Sequence, residues 1–222
     1  KYQINMRAYF RMLSGIDNVV GRVLQTLKEQ GLADNTIIVY SADNGYYMGD
    51  RGFAGKWSHY EQSLRVPLII FDPRPNAGPR GRVEKRMALN LDLPASFLAW
   101  AGLDVPDSYQ GSSLTALVAG QPVERWRRDF FCEHVTLAPH ITWEGVHTQR
   151  YKYARYFDQK PVYEFLFDLK SDPDELQNLA QDPEHRKLLA RMRKRTDSWV
   201  EQYGGPLIPM EERIIRRKPK RK

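Results

Sequence analysis

A single cysteine, Cys132, stands among 222 residues, so no disulfide forms within the chain, and the sequence says little about redox compartment. No apolar run approaches the ~18 residues that a membrane span requires. The start, KYQINMRAYFRML, lacks the charged, apolar, then small-residue order of a signal peptide, and it lacks an initiator methionine. It reads as the interior of something, so any targeting segment upstream of Lys1 is outside the sequence. Repeats and low-complexity blocks are also missing. With 41% hydrophobic residues, 5 Trp, 12 Tyr and 9 Phe, the chain has the material for a substantial core, as one large or two modest domains.

The formal charge of +7 would suggest nucleic acid if it were spread over the chain. Residues 211–222, EERIIRRKPKRK, hold seven basic and two acidic residues, hence +5 of that total. The remainder is close to neutral. A solvated terminal tail is the expected meaning, and no specific nucleic-acid partner is expected.

Tyr9, Leu13, Ile16, Val20, Val23, Leu24 and Leu27 recur at helical spacing, which predicts an amphipathic helix over residues 5–30, ending at Gly31 and covering a sheet. TIIVYSA (36–42) and VPLIIFD (66–72) are continuous apolar runs, the pattern of strands buried on both faces. A helix over 90–101 should turn Leu93, Phe97, Leu98 and Ala101 to one side. Helix, strand, loop, strand, helix is the grammar of a parallel α/β sheet. Two strands are too few for a sheet that is usually ~5 to 6 wide, so the rest is expected upstream of Lys1. From about Arg125 the texture becomes aromatic and alternating: 127–135, 141–157 and 163–169 predict antiparallel strands. They are backed by a helix over 183–203 whose stripe is Leu188, Leu189, Met192, Thr196, Trp199 and Val200. The expected domains are therefore 1–124 and 125–210, followed by the tail.

The stretch SADNGYYMGDRGFAGK (41–56) carries the chemistry. Asp43 and Asn44 follow the first strand directly, at the end where open α/β sheets place their ligand crevice. Carboxylate and amide oxygens suit Ca²⁺, with Mg²⁺ as the other hard cation, but two ligands are too few for an ion that takes ~6 to 8 oxygens. Acids do not alternate here as they do in an EF-hand loop. Asp-Asn-Gly also makes ordinary turns and hairpins. The glycine-rich continuation is a poor partner strand, which weighs against a hairpin. Lys56, at the far end of the glycines, offers an ammonium for an anion; taken alone it is more commonly solvated. His59 could donate a proton to a leaving oxygen, or it could be a satisfied loop histidine. Cys132 and His134 share one side of a strand, where a structural thiol is preferred to a nucleophile. The acids of KSDPDELQNLAQDPE sit at Asp-Pro steps and read as caps.

Residues 41–70 resemble the type I sulfatases, members of the alkaline-phosphatase-like superfamily. The resemblance continues through LNLDLPASFLAWAG (89–102), GSSL (111–114), RYKYARYF (150–157) and YEFLFDLKSDPDELQNLA (163–180), and the opening helix fits with Ile16-Asp17 and Val20-Gly21. It implies an alkaline-phosphatase-like parallel or mixed sheet with flanking helices, followed by a small antiparallel sheet and a C-terminal helix. It further implies that Asp43 and Asn44 are divalent-metal ligands, usually for calcium, and that Lys56 contacts sulfate; the family gives His59 no fixed role, and it is carried as a catalytic candidate with substrate contact as its expected part. Arg51 stands in GDRG where many members have a histidine. The family's nucleophile is a formylglycine made within Cys/Ser-x-Pro-x-Arg, and that motif is absent: Cys132 is in FCEHV and Ser41 in SADNG. The chain is thus expected to be the C-terminal portion of a sulfuric ester hydrolase, inactive without an upstream segment that carries the formylglycine, and taking a sulfated small molecule or carbohydrate. Two other readings stay open: a phosphonate or phosphate-ester hydrolase of the same superfamily, and a non-catalytic polyanion-binding module. The resemblance alone favours a periplasmic, secreted or lysosomal setting.

Overall fold

The computed structural model describes residues 1–135 and 141–206. Residues 136–140 and 207–222, the latter including the basic tail 211–222, lie outside the described residues. The chain divides into two compact units, Lys1–Gly55 with Arg65–Trp126, and Lys56–Leu64 with the chain from Arg127 on. The segment Lys56–Leu64 therefore groups with the second unit, although it lies inside the expected first domain.

In the first unit, helix α1 (Tyr2–Glu29) follows the predicted spacing, and Gly31 ends it at φ 66, where a residue without Cβ is unstrained. No residue of α1 is buried. Phe10, Leu13, Ile16 and Val23 remain exposed, so the expected cover over a sheet is not formed among the described residues. Strands β1 (Ile38–Ser41) and β4 (Leu68–Phe71) pair antiparallel, with Ile38 opposite Phe71 and Ser41 opposite Leu68. This corrects the parallel arrangement expected between these two runs. The chain between them forms only β2 (Tyr47–Met48), β3 (Ala54–Gly55) and a single helical turn, α2 (Glu61–Leu64). A parallel return is usually made by a long crossover helix, and none is present here, whereas an antiparallel return needs none. Burial on both faces is likewise corrected, since Tyr40, Ile69 and Phe71 are exposed.

Helix α3 (Asp92–Trp100) forms where expected but turns a different face inward. Its buried residues are Asp92, Ala95 and Ser96, while Phe97 is 49% exposed. Polar bonds decide this. The Asp92 carboxylate accepts the N–H groups of Leu89 (2.7 Å) and Ser112 (2.8 Å), and Ser96 Oγ accepts that of Leu114 (2.8 Å). Buried and paired in this way, a carboxylate and a hydroxyl fix two loops to one helix face, and leaving either set of groups unpaired would be costly. Gly111 completes the approach, because a methyl added there would overlap the Leu91 carbonyl. Helix α4 (Thr115–Val118) follows, with Leu114 and Leu117 buried.

The second unit is a four-stranded antiparallel meander in the order β5 (Asp129–His134), β6 (Trp143–Thr148), β7 (Tyr151–Tyr156), β8 (Tyr163–Asp168). The alternating stretch 141–157 is thus two strands, joined by a tight turn in which Thr148 Oγ1 accepts the N–H of Tyr151 at 2.8 Å. Helix α5 (Arg186–Gln202) lays Leu189, Met192, Thr196 and Val200 inward, as its spacing predicts. Leu189 and Met192 join Val146, Tyr153 and Leu166 of the sheet in one apolar cluster. Asp172 accepts the N–H groups of Leu176 (3.1 Å) and Gln177 (2.8 Å), and Asp182 that of Glu184 (2.9 Å), so these acids are caps and turns.

Candidate active site

Asp43 and Asn44 leave the C-terminal end of β1 in the first unit. The Asn44 N–H donates to Asp43 Oδ1 at 2.9 Å, and its side-chain amide donates to the Gly45 carbonyl at 2.7 Å. Asn90, just before α3, donates to the carbonyls of Ala42 (3.0 Å) and Asp43 (3.2 Å). These bonds tie the strand end to the α3 loop, in a position set by the 89–92 motif. A type I′ hairpin at Asn44-Gly45 would need positive φ at both residues, and neither has it. Positive φ falls instead at Gly49, Gly52 and Gly55. There β2 and β3 pair as a two-residue ribbon, Tyr47 opposite Gly55, with Tyr47 buried against the edge of Phe53. The glycines make this inner ribbon rather than a partner for β1.

The donors at Asp43 and Asn44 are hard oxygens, which fit calcium or magnesium in kind and fall short in number. Among the described residues no three His, Cys, Asp or Glu side chains gather to complete such a site.

Lys56 and His59 belong to the second unit, where a set of bonds clamps the segment they share. The Trp57 N–H donates to Ser63 Oγ at 3.0 Å, and the Trp57 carbonyl accepts from Trp143 Nε1 at 2.8 Å. His59 is wholly buried. Its Nδ1 shares a hydrogen bond with the Tyr156 hydroxyl at 3.0 Å, and its ring packs 4.1 Å from the centroids of Tyr60 and Phe165. Aromatic packing and the Nδ1 bond thus fix the orientation of the ring.

Sequence reasoning passed over the charges beneath this segment. Lys152 on β7 is 1% exposed; its ammonium bonds Glu61 Oε1 at 3.1 Å and is ion-paired with the buried Glu175. The Glu61 N–H donates to Glu175 Oε2 at 2.8 Å, and His147 Nε2 donates to Glu61 Oε1 at 2.9 Å. Burial pushes the Glu61 carboxyl up, but the His147 bond and the Lys152 charge outweigh it and hold the group at about 2. The available signal was a lysine between two tyrosines in a strand whose other face packs on α5. Cys132 is not part of this chemistry: burial pushes its thiol up to about 12, and Sγ sits 3.9 Å from the Gly145 carbonyl. A thiol that stays protonated is no nucleophile.

The family model for the N-sulphoglucosamine sulphohydrolase C-terminal region matches residues 49–202. The chain belongs to the sulfatase family. This sulfatase chain is 32% identical over 212 residues to an N-acetylglucosamine-6-O-sulfatase of Bacteroides thetaiotaomicron, covering 91% of the chain and 37% of that protein. It is 32% identical to an arylsulfatase of Clostridium perfringens, covering 84% and 38%. A solved sulfated-sugar complex, with substrate D-glucosamine-2-N,6-O-disulfate, superposes with TM-score 0.83 at 30% identity, over 91% of the chain and 41% of that structure. The phosphonate monoester hydrolase of Agrobacterium radiobacter superposes with TM-score 0.77 at 28% identity, over 87% and 40%. The sulfatase chain therefore has the mixed α/β, alkaline-phosphatase-like fold of its neighbours, and it spans about two fifths of their length. No helix among its described residues is long and apolar enough to cross a membrane.

Proposed function

We propose that this chain is the C-terminal portion of a sulfuric ester hydrolase acting on a sulfated carbohydrate, and that an upstream segment carrying the nucleophile completes the active site. The observation that carries the reading is the family match, which begins inside the glycine loop, runs through Lys56 and continues through the second unit to Gln202, the end of α5. A likeness to a structure that holds a disulfated glucosamine supports the substrate class.

In this reading the Asp43 carboxylate and the Asn44 amide oxygen hold a calcium or magnesium ion, with further ligands from the upstream segment. When bound, the cation offsets charge on the sulfate oxygens and lowers the pKa of the nucleophile. Lys56 places its ammonium against the sulfate, where it stabilises charge that grows on the ester oxygens as the S–O bond breaks. Losing one contact of this type typically costs ~3 kcal/mol in the barrier, about a hundredfold in rate. His59 holds the loop from within the aromatic cluster and does not touch the ester. The Glu61–Lys152–Glu175 charges fix the same loop from below, so Lys56 is presented from a rigid base.

The test is to join the chain to its upstream segment, verify the formylglycine by mass spectrometry, and assay a glucosamine sulfate ester beside a phosphonate monoester. Sulfate-ester turnover that falls about a hundredfold in Lys56→Ala is expected. A verified preparation that leaves every sulfate ester intact overturns the reading, and preference for the phosphonate would transfer it to the neighbouring hydrolases. Asp43→Ala should weaken calcium binding by calorimetry as well as activity; unchanged calcium affinity removes Asp43 from the metal site.

A further inference from the structure

Trp57, the residue after Lys56, is out of place by two criteria. Tryptophan is usually well buried, yet this one is 57% exposed. Residues with a Cβ avoid positive φ, yet Trp57 has φ 87, a conformation that glycine takes freely and other residues take at a cost. The same loop uses glycine for this geometry at Gly49, Gly52 and Gly55, and Arg51 is its other non-glycine residue at positive φ, at the smaller value of 56. Backbone economy would place a glycine at 57 as well.

The indole is also oriented. Both backbone groups of Trp57 are tied down, to Ser63 Oγ at 3.0 Å and to Nε1 of Trp143 at 2.8 Å, and Trp143 is itself buried. The Trp57 ring lies within 14° of parallel to the His134 imidazole, with centroids 6.4 Å apart. A fixed aromatic plane, exposed to solvent and kept despite its backbone, is a binding surface in want of a flat or apolar-faced ligand.

Lys56 narrows the choice. Adjacent Cα atoms are ~3.8 Å apart, and the positive φ at Trp57 departs from the extended alternation that would send neighbouring side chains to opposite faces. An ammonium and an aromatic plane carried by consecutive residues suit a ligand with an anionic group on a ring that has C–H bonds along one face. A sulfated pyranose is such a ligand. We propose that Trp57 is a stacking platform for the sugar ring whose sulfate Lys56 contacts, and that it sets the preference for cyclic carbohydrate sulfates over small acyclic sulfate esters. The proposal rests on the sulfatase reading of Lys56 given above.

The experiment uses the complete enzyme, with a glucosamine 6-sulfate ester and ethyl sulfate as the two probes. Trp57→Gly removes the indole and leaves a residue suited to φ 87, so the loop keeps its course. The ratio of kcat/KM for the sugar ester to that for ethyl sulfate is expected to fall about tenfold to a hundredfold, the scale of a lost aromatic stacking contact. The change should come through KM for the sugar, Trp57→Phe should restore part of it, and the melting temperature of Trp57→Gly should match or exceed that of the parent. An unchanged ratio overturns the proposal. A lower melting temperature with equal losses on both esters also overturns it, because the indole would then be packing against protein. A parent enzyme that hydrolyses neither ester removes the sulfatase reading and this platform together, whereas the other failures remove the platform alone.

Discussion

Replacing Lys152 with methionine, similar in length and uncharged, isolates the energetics of the charges under the Lys56 loop. Its ammonium bonds Glu61 and is ion-paired with Glu175, and Lys152 and Glu175 are almost wholly inaccessible. Removing one partner from a buried ion pair leaves charge that is neither solvated nor compensated, at a cost of roughly 3–5 kcal/mol. Glu61 keeps its 2.9 Å bond from His147, and the Glu61 N–H still reaches Glu175, so the lower end of that range applies, about 3 kcal/mol. For a unit of this size that is on the order of 15 °C in Tm. The measurement is urea denaturation of the full chain followed by circular dichroism, with amide exchange on β6–β8 to place the loss in the second unit. Combining Lys152→Met with Glu61→Gln and Glu175→Gln should recover most of the stability, since replacing a whole buried charge set with neutral groups is often close to neutral. A Lys152→Met penalty under 1 kcal/mol at pH 7 would refute the reasoning.

Other outcomes follow from single contacts. The unsubstituted chain should lose about 3 kcal/mol at low pH through Glu61, whose carboxyl is held at about 2 against an ordinary 4.5. That contribution is intact above pH 4.5 and disappears as pH falls through about 2; acid titration of stability in the parent and in Glu61→Gln separates it from other carboxylates. Gly111→Ala should destabilise the first unit by 2 kcal/mol or more, at about the upper range for overpacking, because the methyl meets the Leu91 carbonyl. Gly15→Ala, in the open middle of α1 with nothing nearby, should instead stabilise by about 0.5–1 kcal/mol; equal melting temperatures for the two variants would contradict both. Cys132 should resist alkylation at pH 8 until the chain is unfolded, given a thiol pushed up to about 12, and rapid labelling of the native protein would show that the thiol is accessible.

What was legible in the sequence followed its periodicity. The spacing of Leu13, Ile16, Val20 and Val23 marked out α1, and the stripe from Leu189 to Val200 gave both α5 and its inward face. The direction of β1 against β4 was not legible, because a continuous apolar run has no polarity along the chain and the deciding feature was a crossover helix that never forms. The inward face of α3 was misread for a different reason: apolarity pointed to Phe97, but two polar side chains, Asp92 and Ser96, had backbone partners about 20 residues away. The candidate site divided along the same line. The proposal that Asp43, Asn44 and Lys56 serve a metal ion and a sulfate rests on residue type and order alone, which is information the sequence carries locally. The support beneath Lys56 depends on Glu61 meeting Lys152 and Glu175 across 91 and 114 positions, a pairing that no local pattern records. The φ of Trp57 is equally silent, because nothing in GKWSH marks a tryptophan that takes a glycine's conformation.

The membership of Lys56–Leu64 in the second unit has a consequence for recombination between relatives. A single exchange point near residue 126 would transplant the four-stranded meander without the nine-residue segment it grips, pairing each parent's buried charges with the other's loop. Hybrids that fold well should inherit 56–64 and the chain beyond 126 from one donor, so in inheritance the lysine travels with the far end of the gene and not with the aspartate only thirteen positions before it.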